Sequence, residues 1–191
     1  MSYDESKAKD MFFIIDGSRS MKEKVKASGM SKMEMVKQGL FGFVEERWPV
    51  SYMPWPLRIG VAFFRLLGTP GKTEFDVVVP LNPPPASLEL YRLNEMPCKG
   101  GSPLADALRY AVGEVADSLR GEKRIKLISD GGNDGEPLKN VLEELKRSKT
   151  PVDAIELSNS ASQELRDAAA ALGGRYYRPN GLAEFKLAIR E

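Results

Sequence analysis

The sequence predicts an α/β fold: a three-layer, doubly wound, Rossmann-like arrangement with a mostly parallel six-stranded sheet, one antiparallel edge strand and helices on both faces. The first observation is that short apolar runs, typical of buried strands, alternate with segments whose apolar residues recur every three or four positions. The second is that two apolar runs follow each other across a short link, which favours a hairpin. The chain of 191 residues suits one domain, predicted as 1–191, with 1–9 as a flexible leader.

The predicted strands are short and dominated by β-branched or aromatic residues. The first strand has no polar alternation, so we expect it to be buried on both faces. The third follows the second closely and contains Pro80, which places it at an edge. The six predicted strands cover residues 11–15, 58–64, 74–80, 124–129, 152–157 and 175–178.

Helices are predicted between the strands from apolar stripes and from start and stop signals. Ser31 and Glu34 have the form of a capping box before the first helix, which is predicted to end near Trp48. A short helix is predicted over 86–91. The other helices are predicted to open at Ser102 with Pro103, at Pro137, at Ser160 with Gln163, and at Asn180.

The composition excludes several classes of site. The chain has no histidine and one cysteine, which excludes Ser–His–Asp and Cys–His catalysis and histidine- or thiolate-based zinc sites. A net charge of +1 gives no field that points to nucleic acid or to an acidic membrane. No apolar run approaches the roughly 18 residues of a membrane span, and the amino-terminal residues do not resemble a signal peptide. We therefore expect a cytoplasmic protein with no nucleic-acid or membrane partner.

A cluster of oxygen donors follows the first predicted strand. Asp16 ends this strand, and Ser18 and Ser20 come directly after it. Oxygen-only sites suit hard cations such as Mg²⁺. The alternative is that these residues form a turn or cap a helix, as Asp and Ser commonly do.

Two more polar residues are predicted to lie near this cluster. Ser102 follows a pair of glycines at the start of a helix, and Asp130 ends the fourth predicted strand. In a doubly wound sheet, loops at the carboxyl ends of the strands converge on one edge. Two carboxylates and three hydroxyls would then surround one point, bind Mg²⁺ or Mn²⁺ modestly and leave a coordination position open.

In this order, the motifs resemble the metal-ion-dependent adhesion site (MIDAS) of the von Willebrand factor A (vWA) domain family, and the resemblance extends over roughly 10–190. That site has the pattern D-x-S-x-S after the first strand, a threonine in a later loop and an aspartate ending the fourth strand. The matching residues here are Asp16, Ser18, Ser20, Ser102 and Asp130. Two positions depart from the family pattern, since Ser102 stands for threonine and Arg19 for a residue that is commonly glycine.

The resemblance implies a function. The two serines would bind the metal directly, the other residues directly or through water, and a carboxylate of a partner protein would fill the open position. The chain would then be a protein-interaction module of an intracellular multiprotein complex and not an enzyme, with an AAA+ ATPase as a possible partner. Two alternatives stay open: a Mg²⁺-dependent hydrolase or phosphotransferase that uses the same loops, and a scaffold whose metal site is vestigial.

Overall fold

The computed structural model confirms the predicted α/β fold. It describes residues 9–47, 57–68, 71–82, 90–116 and 121–191. The strands of its central sheet are Lys9–Asp16 (β1), Leu57–Leu67 (β2), Lys72–Asn82 (β3), Glu122–Ser129 (β4), Val152–Glu156 (β5) and Tyr176–Tyr177 (β6). Their order across the sheet is β3-β2-β1-β4-β5-β6. Neighbouring strands are parallel except β2 and β3, which form the antiparallel pair predicted at one edge.

The bounds of β2, β3 and β6 differ from the prediction. β2 and β3 are each longer than predicted, because their antiparallel ladder continues to the pair Leu67 and Lys72 beside the turn. At the other edge β6 is shorter than predicted. It pairs only with β5, through Tyr176 opposite Ala154 and Tyr177 opposite Ile155, so the ladder ends after two residues.

Helices flank the sheet as the sequence predicts. The helices in the described residues are Lys32–Arg47 (α1), Arg92–Glu95 (α2), Leu104–Ala116 (α3), Leu142–Lys146 (α4), Gln163–Ala171 (α5) and Leu182–Arg190 (α6). The helix predicted from Pro137 is divided into a 3₁₀ turn, Leu138–Asn140, and α4. Most of the helix predicted over 86–91, residues 1–8 of the predicted leader and Trp48 lie outside the described residues. None of the described helices is long and apolar enough to cross a membrane.

Two predicted helix caps are wrong by one or two residues. The N-cap of α5 is Ser162 rather than Ser160, and its hydroxyl accepts a hydrogen bond from the Leu165 N–H at 3.3 Å. The N-cap of α6 is Gly181 rather than Asn180. The Asn180 N–H instead donates to the Glu184 carboxylate at 2.9 Å, so Asn180 lies just outside the helix. At α1 the predicted capping box is present, with reciprocal bonds of 2.8 and 3.1 Å between Ser31 and Glu34.

Two hydrophobic cores lie on opposite faces of the sheet, because successive side chains of a strand point to opposite sides. Phe13 and Ile15 of β1 pack in the core that contains α1 and α6. Phe12 and Ile14 pack in the core that contains α3, α4 and α5. All four side chains are fully buried, and each contributes about 1.5–3 kcal/mol of transfer free energy. β1 is therefore the centre of the three layers, and its carboxyl end is held from both sides.

Candidate metal site at the carboxyl edge of the sheet

The candidate site lies where two central strands end side by side. β1 and β4 are parallel neighbours, and Ile15 pairs with Ile128. The next residues, Asp16 and Ser129, therefore reach the same edge of the sheet. Such an edge, where the chain order across the sheet changes direction, is the common place for a ligand crevice in open α/β folds.

The Asp16 carboxylate is buried and accepts three hydrogen bonds. Its Oδ2 accepts from the hydroxyls of Ser102 and Ser129, both at 2.7 Å, and its Oδ1 accepts from the Ser18 N–H at 2.8 Å. Burial raises the pKa of Asp16 above its ordinary value, although the bonds from these three serines act in the opposite direction. A cation placed beside Asp16 would favour the charged form, since opposite charge lowers a carboxyl pKa.

Ser18 and Ser20 lie at the start of a short 3₁₀ turn, Arg19–Lys22, directly after β1. Their hydroxyl oxygens are 3.0 Å apart and share a hydrogen bond. Alternate residues of this segment thus present their oxygens to each other, as the D-x-S-x-S spacing predicts. Arg19, between them, is exposed, and its N–H donates to the Gly100 carbonyl at 3.1 Å. This bond holds the loop of Ser18 and Ser20, here called the serine loop, against the loop of Gly100 and Gly101, here called the glycine loop. The glycine loop leads directly into Ser102.

The glycine loop places Ser102 over Asp16. Gly100 has a φ of +76°, and Gly101 exchanges two backbone hydrogen bonds of 3.0 Å with Leu66 at the end of β2. Asp134 holds the backbone of Ser102 from the other side, accepting from its N–H and donating to its carbonyl, both at 2.9 Å. The prediction that the Ser102 side chain caps the following helix is wrong, because α3 begins at Leu104 and Ser102 lies one residue before the cap position. Its hydroxyl donates to Asp16.

Asp130 is engaged by a lysine that the sequence analysis did not identify. The ammonium of Lys32 lies 2.9 Å from Asp130 Oδ2, 2.9 Å from Glu23 Oε2 and 3.2 Å from the Ser20 carbonyl. Burial acts to lower the pKa of Lys32, but the bonds to Asp130 and Glu23 outweigh burial and raise it. Lys32 is therefore a fixed positive charge between the serine loop and the end of β4.

The structure brings the five predicted residues into one connected hydrogen-bond network. Asp16 bonds Ser102 and Ser18, Ser18 bonds Ser20, and Lys32 links Ser20 to Asp130. Sequence reasoning missed Ser129 and Lys32. Ser129 had a detectable signal, since it immediately precedes Asp130 at the end of a predicted strand. Lys32 had none, because 98 residues separate it from Asp130.

The donor set fits Mg²⁺ or Mn²⁺, with one condition. Carboxylate and hydroxyl oxygens are hard ligands of the kind these ions prefer. No group of three or more Cys, Asp or Glu side chains suited to a metal occurs among the described residues, so the serine hydroxyls would have to supply much of the coordination. The Lys32 ammonium already neutralises Asp130, and a metal that uses Asp130 must compete with it. An open cavity of about 490 Å³ borders Ser18, Ser20 and Gly100, which gives solvent access.

The sheet order, the single antiparallel edge and the layers of helices define a vWA fold. A von Willebrand factor type A structure from Catenulispora acidiphila superposes with a TM-score of 0.72 at 18% identity, over 96% of this chain and 41% of that one. An aerotolerance-related membrane protein from Bacteroides fragilis, carrying multiple mutations to serines, gives 0.70 at 16% identity, over 95% and 96%. BatB from Bacteroides thetaiotaomicron gives 0.66 at 13% identity, over 95% and 97%. No protein-family model and no curated protein matches the sequence.

Identities of this size establish the fold alone. The resemblance to vWA domains is therefore confirmed for the architecture, and the metal role of the five residues stays a prediction.

Proposed function

We propose that this chain is a protein-interaction module that binds Mg²⁺ or Mn²⁺ and uses the metal to engage an Asp or Glu of a partner protein. The proposed metal-binding residues are Asp16, Ser18, Ser20, Ser102 and Asp130. The observation that supports the proposal most strongly is the buried Asp16 carboxylate, which orients the Ser102 hydroxyl beside two further serines at an open edge of the sheet. A buried carboxylate with only neutral donors is a favourable place for a cation.

Each protein group has a defined part in this proposal. Asp16 accepts a hydrogen bond from the Ser102 hydroxyl, which leaves the lone pairs of that hydroxyl free to act as a ligand. The Ser18 and Ser20 hydroxyls would rotate away from their mutual bond to do the same. The bound metal would supply a Lewis-acidic position for the partner's carboxylate. The site would therefore bind without breaking a covalent bond.

Binding is proposed rather than catalysis because, among the described residues, each carboxylate at the site already has a hydrogen-bond or ion-pair partner. Asp16 already accepts three hydrogen bonds, and Lys32 is held by two carboxylates. Turnover of a generic phosphate ester that disappears in Asp16→Ala would contradict this conclusion and favour the hydrolase.

Thermal unfolding in chelator and then in increasing Mg²⁺ or Mn²⁺ tests the proposal. A ligand that binds only the folded state stabilises it by about 2.7 kcal/mol at roughly a hundredfold excess over Kd. We expect a concentration-dependent rise in midpoint for the wild type and a weaker rise for Ser20→Ala, which leaves the bonds to Asp16 intact. Asp16→Ala should abolish the response, and Asp167→Ala, an exposed change on α5, should not alter it.

A second candidate is a scaffold that needs no metal, and the ion pair between Lys32 and Asp130 favours it. In this case the ammonium supplies the positive charge at the site. The midpoint would then stay constant up to millimolar metal in the wild type, and the same titration would decide between the two candidates. For either candidate, an AAA+ ATPase of an intracellular complex is a proposed partner that the family resemblance alone supports.

A further inference from the structure

A second cavity, here called the basic groove, lies beside the candidate metal site. It has a volume of about 490 Å³ and runs between the start of α1 and the segment after α2. Its charged walls include Lys22, Lys24 and Lys37, and its apolar lining includes Met33, Met96 and Pro97. Apart from Lys22, which also lines the cavity at the metal site, these residues have no part in the site described above.

The lysines of the basic groove form a local excess of positive charge. Lys22 and Lys24 are exposed and form no ion pair with any described residue, and the Lys37 ammonium donates only to the Asn94 carbonyl, at 3.2 Å. The one carboxylate of the lining is Glu34, which accepts from the Ser31 N–H at 2.8 Å and interacts with the charges of Lys24 and Lys37, so three lysines share one carboxylate. The whole chain has a net charge of only +1, so its overall charge does not account for this local excess.

The floor of the groove suits an apolar side chain. Met33 is buried and Met96 is half-buried, and both line the cavity. Methionine is flexible and polarisable, and it adapts to partners of varied shape. A groove with an apolar floor and cationic walls matches a peptide that alternates acidic and apolar residues.

The basic groove lies next to the cavity at the candidate metal site. Lys22 lines both cavities, and Arg19 lines the cavity at the metal site without an ion pair to any described residue. Glu23 and Asp134 also line that cavity, but Glu23 pairs with Lys32 and Asp134 holds the Ser102 N–H. One extended peptide can therefore cross both cavities and meet cations along its path.

We propose that the basic groove binds an acidic segment of the partner protein, next to the carboxylate that engages the metal. The segment has an apolar side chain that enters between Met33 and Met96 and acidic side chains that contact Lys22 and Lys24. This inference rests on the proposed function for the position of the first carboxylate. It goes further by assigning the class of partner: an acidic peptide rather than any surface that offers a single Asp or Glu.

The test is fluorescence anisotropy with a labelled peptide of sequence Gly-Asp-Leu-Glu-Glu-Gly, in Mg²⁺ and in chelator. Charge reversal in the double variant Lys22→Glu, Lys24→Glu should weaken binding by about tenfold or more, because a charge of the wrong sign at an interface opposes association. The matched control is Lys26→Glu, Arg178→Glu. It has the same net charge, and both its residues are exposed and line neither cavity. Equal weakening by both double variants, or no weakening by either, would overturn the proposal.

Methyl NMR of methionine-labelled protein gives a second readout. The peptide should shift the Met33 and Met96 signals and leave Met35, which is fully buried and lines neither cavity, unchanged. If the Met33 and Met96 signals did not move when the protein was saturated with peptide, the result would contradict binding in the basic groove. An oligonucleotide of the same charge that binds more tightly than the peptide would also contradict it, since the partner would then be a polyphosphate.

The two proposals fail in different ways. Peptide binding that is equal in Mg²⁺ and chelator, and equal in Asp16→Ala, but weaker in the groove variant would refute the metal-dependent function and support the groove. Metal stabilisation without any difference between groove and control variants would do the opposite.

Discussion

The Lys32 ammonium and the Asp130 carboxylate are 2.9 Å apart, and their side chains are only 5% and 6% exposed. This buried ion pair joins the first turn of α1 to the end of β4. The Lys32 ammonium thereby contacts a carboxylate that is proposed to bind the divalent metal. Several expected outcomes depend on this pair and on the groups around it.

Lys32→Met should weaken folding and strengthen metal binding. Without metal, Asp130 loses its charged partner in a buried place, and we expect a loss of about 3 kcal/mol in the free energy of unfolding. With metal, removal of the competing ammonium should increase affinity for Mg²⁺ or Mn²⁺ by about tenfold or more. Urea unfolding in chelator and a metal titration measure the two effects. Lys26→Met, at an exposed position of the same region, is the control, and unchanged metal affinity in Lys32→Met would refute the competition.

The variant Ser129→Ala tests how much the second hydroxyl that donates to Asp16 contributes to stability. The Ser129 hydroxyl donates to the same oxygen as Ser102, at 2.7 Å, and the group is fully buried. Its removal should destabilise the metal-free protein by about 1–3 kcal/mol, because Asp16 loses a donor that water cannot replace. Ser148→Ala, whose hydroxyl bonds only its own turn, should cost much less. Equal stabilities by urea unfolding would show that Ser129 does not support Asp16.

Gly100→Ala should damage the loop that carries Ser102. Gly100 has a φ of +76°, and an added Cβ would collide with the Leu66 carbonyl. We expect a loss of about 3 kcal/mol from left-handed strain and overpacking. Gly113→Ala is the matched control, since its Cβ would meet open space on α3 and should add about 0.5–1 kcal/mol. Opposite signs of the two changes in urea unfolding would confirm the loop geometry, and equal effects would contradict it.

Asp153 gives a prediction for acid stability. It is fully buried and lies 2.7 Å from the Lys126 ammonium. Burial acts to raise the pKa of Asp153, but hydrogen bonds and charge from Lys126, Arg175 and Arg124 outweigh it and hold the pKa below its ordinary 3.8. A carboxyl whose folded pKa is lowered stabilises the fold above the unfolded pKa and loses this contribution as the pH falls through the folded pKa.

Asp153→Asn should therefore lower the free energy of unfolding by about 3–5 kcal/mol at neutral pH, because Lys126 is left buried without its charge partner. The difference from wild type should shrink as the pH falls below about 4. Urea unfolding across this range measures it, with the exposed change Asp167→Asn as control. A difference that does not depend on pH would contradict the assignment.

The Tyr176 phenol should lose its proton at a higher pH than an ordinary tyrosine. Burial raises the pKa of its phenol to about 12, and the nearby Glu156 carboxylate, to which the hydroxyl donates, acts in the same direction. A group with a raised folded pKa stabilises the fold below its unfolded pKa of about 10 and loses this contribution as the pH rises to the folded value. Tyrosinate absorbance during an alkaline titration measures it. In Tyr176→Phe, the tyrosinate absorbance that develops near pH 12 should be reduced. A reduction in the absorbance that develops near pH 10 instead would refute the contact with Glu156.

The site residues differ in how far the sequence could predict them. Asp16 and Asp130 were predictable because each directly ends an apolar strand, and parallel strands carry such residues to one edge. Ser102 was predictable as a neighbour of the site, but its capping role was wrong, since α3 begins only at Leu104 and Ser102 lies one residue before the cap position. Lys32 was not predictable, because its partner is close only in the folded chain.

The fold was more predictable than the details of its edges. Alternating apolar runs and stripes indicate layers, and these depend on burial summed over many residues. The ends of β2 and β3 instead depend on a few hydrogen bonds near Leu67, and the cap of α6 depends on whether Glu184 reaches Asn180. Such competitions differ by about 1 kcal/mol, which local sequence patterns do not resolve.

The direction of β1 has a consequence for how the chain can be attached to a larger assembly or to a surface. β1 begins at Lys9 and ends at Asp16, so these two residues lie at opposite ends of the strand. At the usual rise of a strand they are roughly 23 Å apart. A tether attached at Lys9 would therefore hold the chain by the end of β1 that is remote from the serines. A chain anchored there, on a larger assembly or on a sensor chip, would present Asp16 and its neighbours outward.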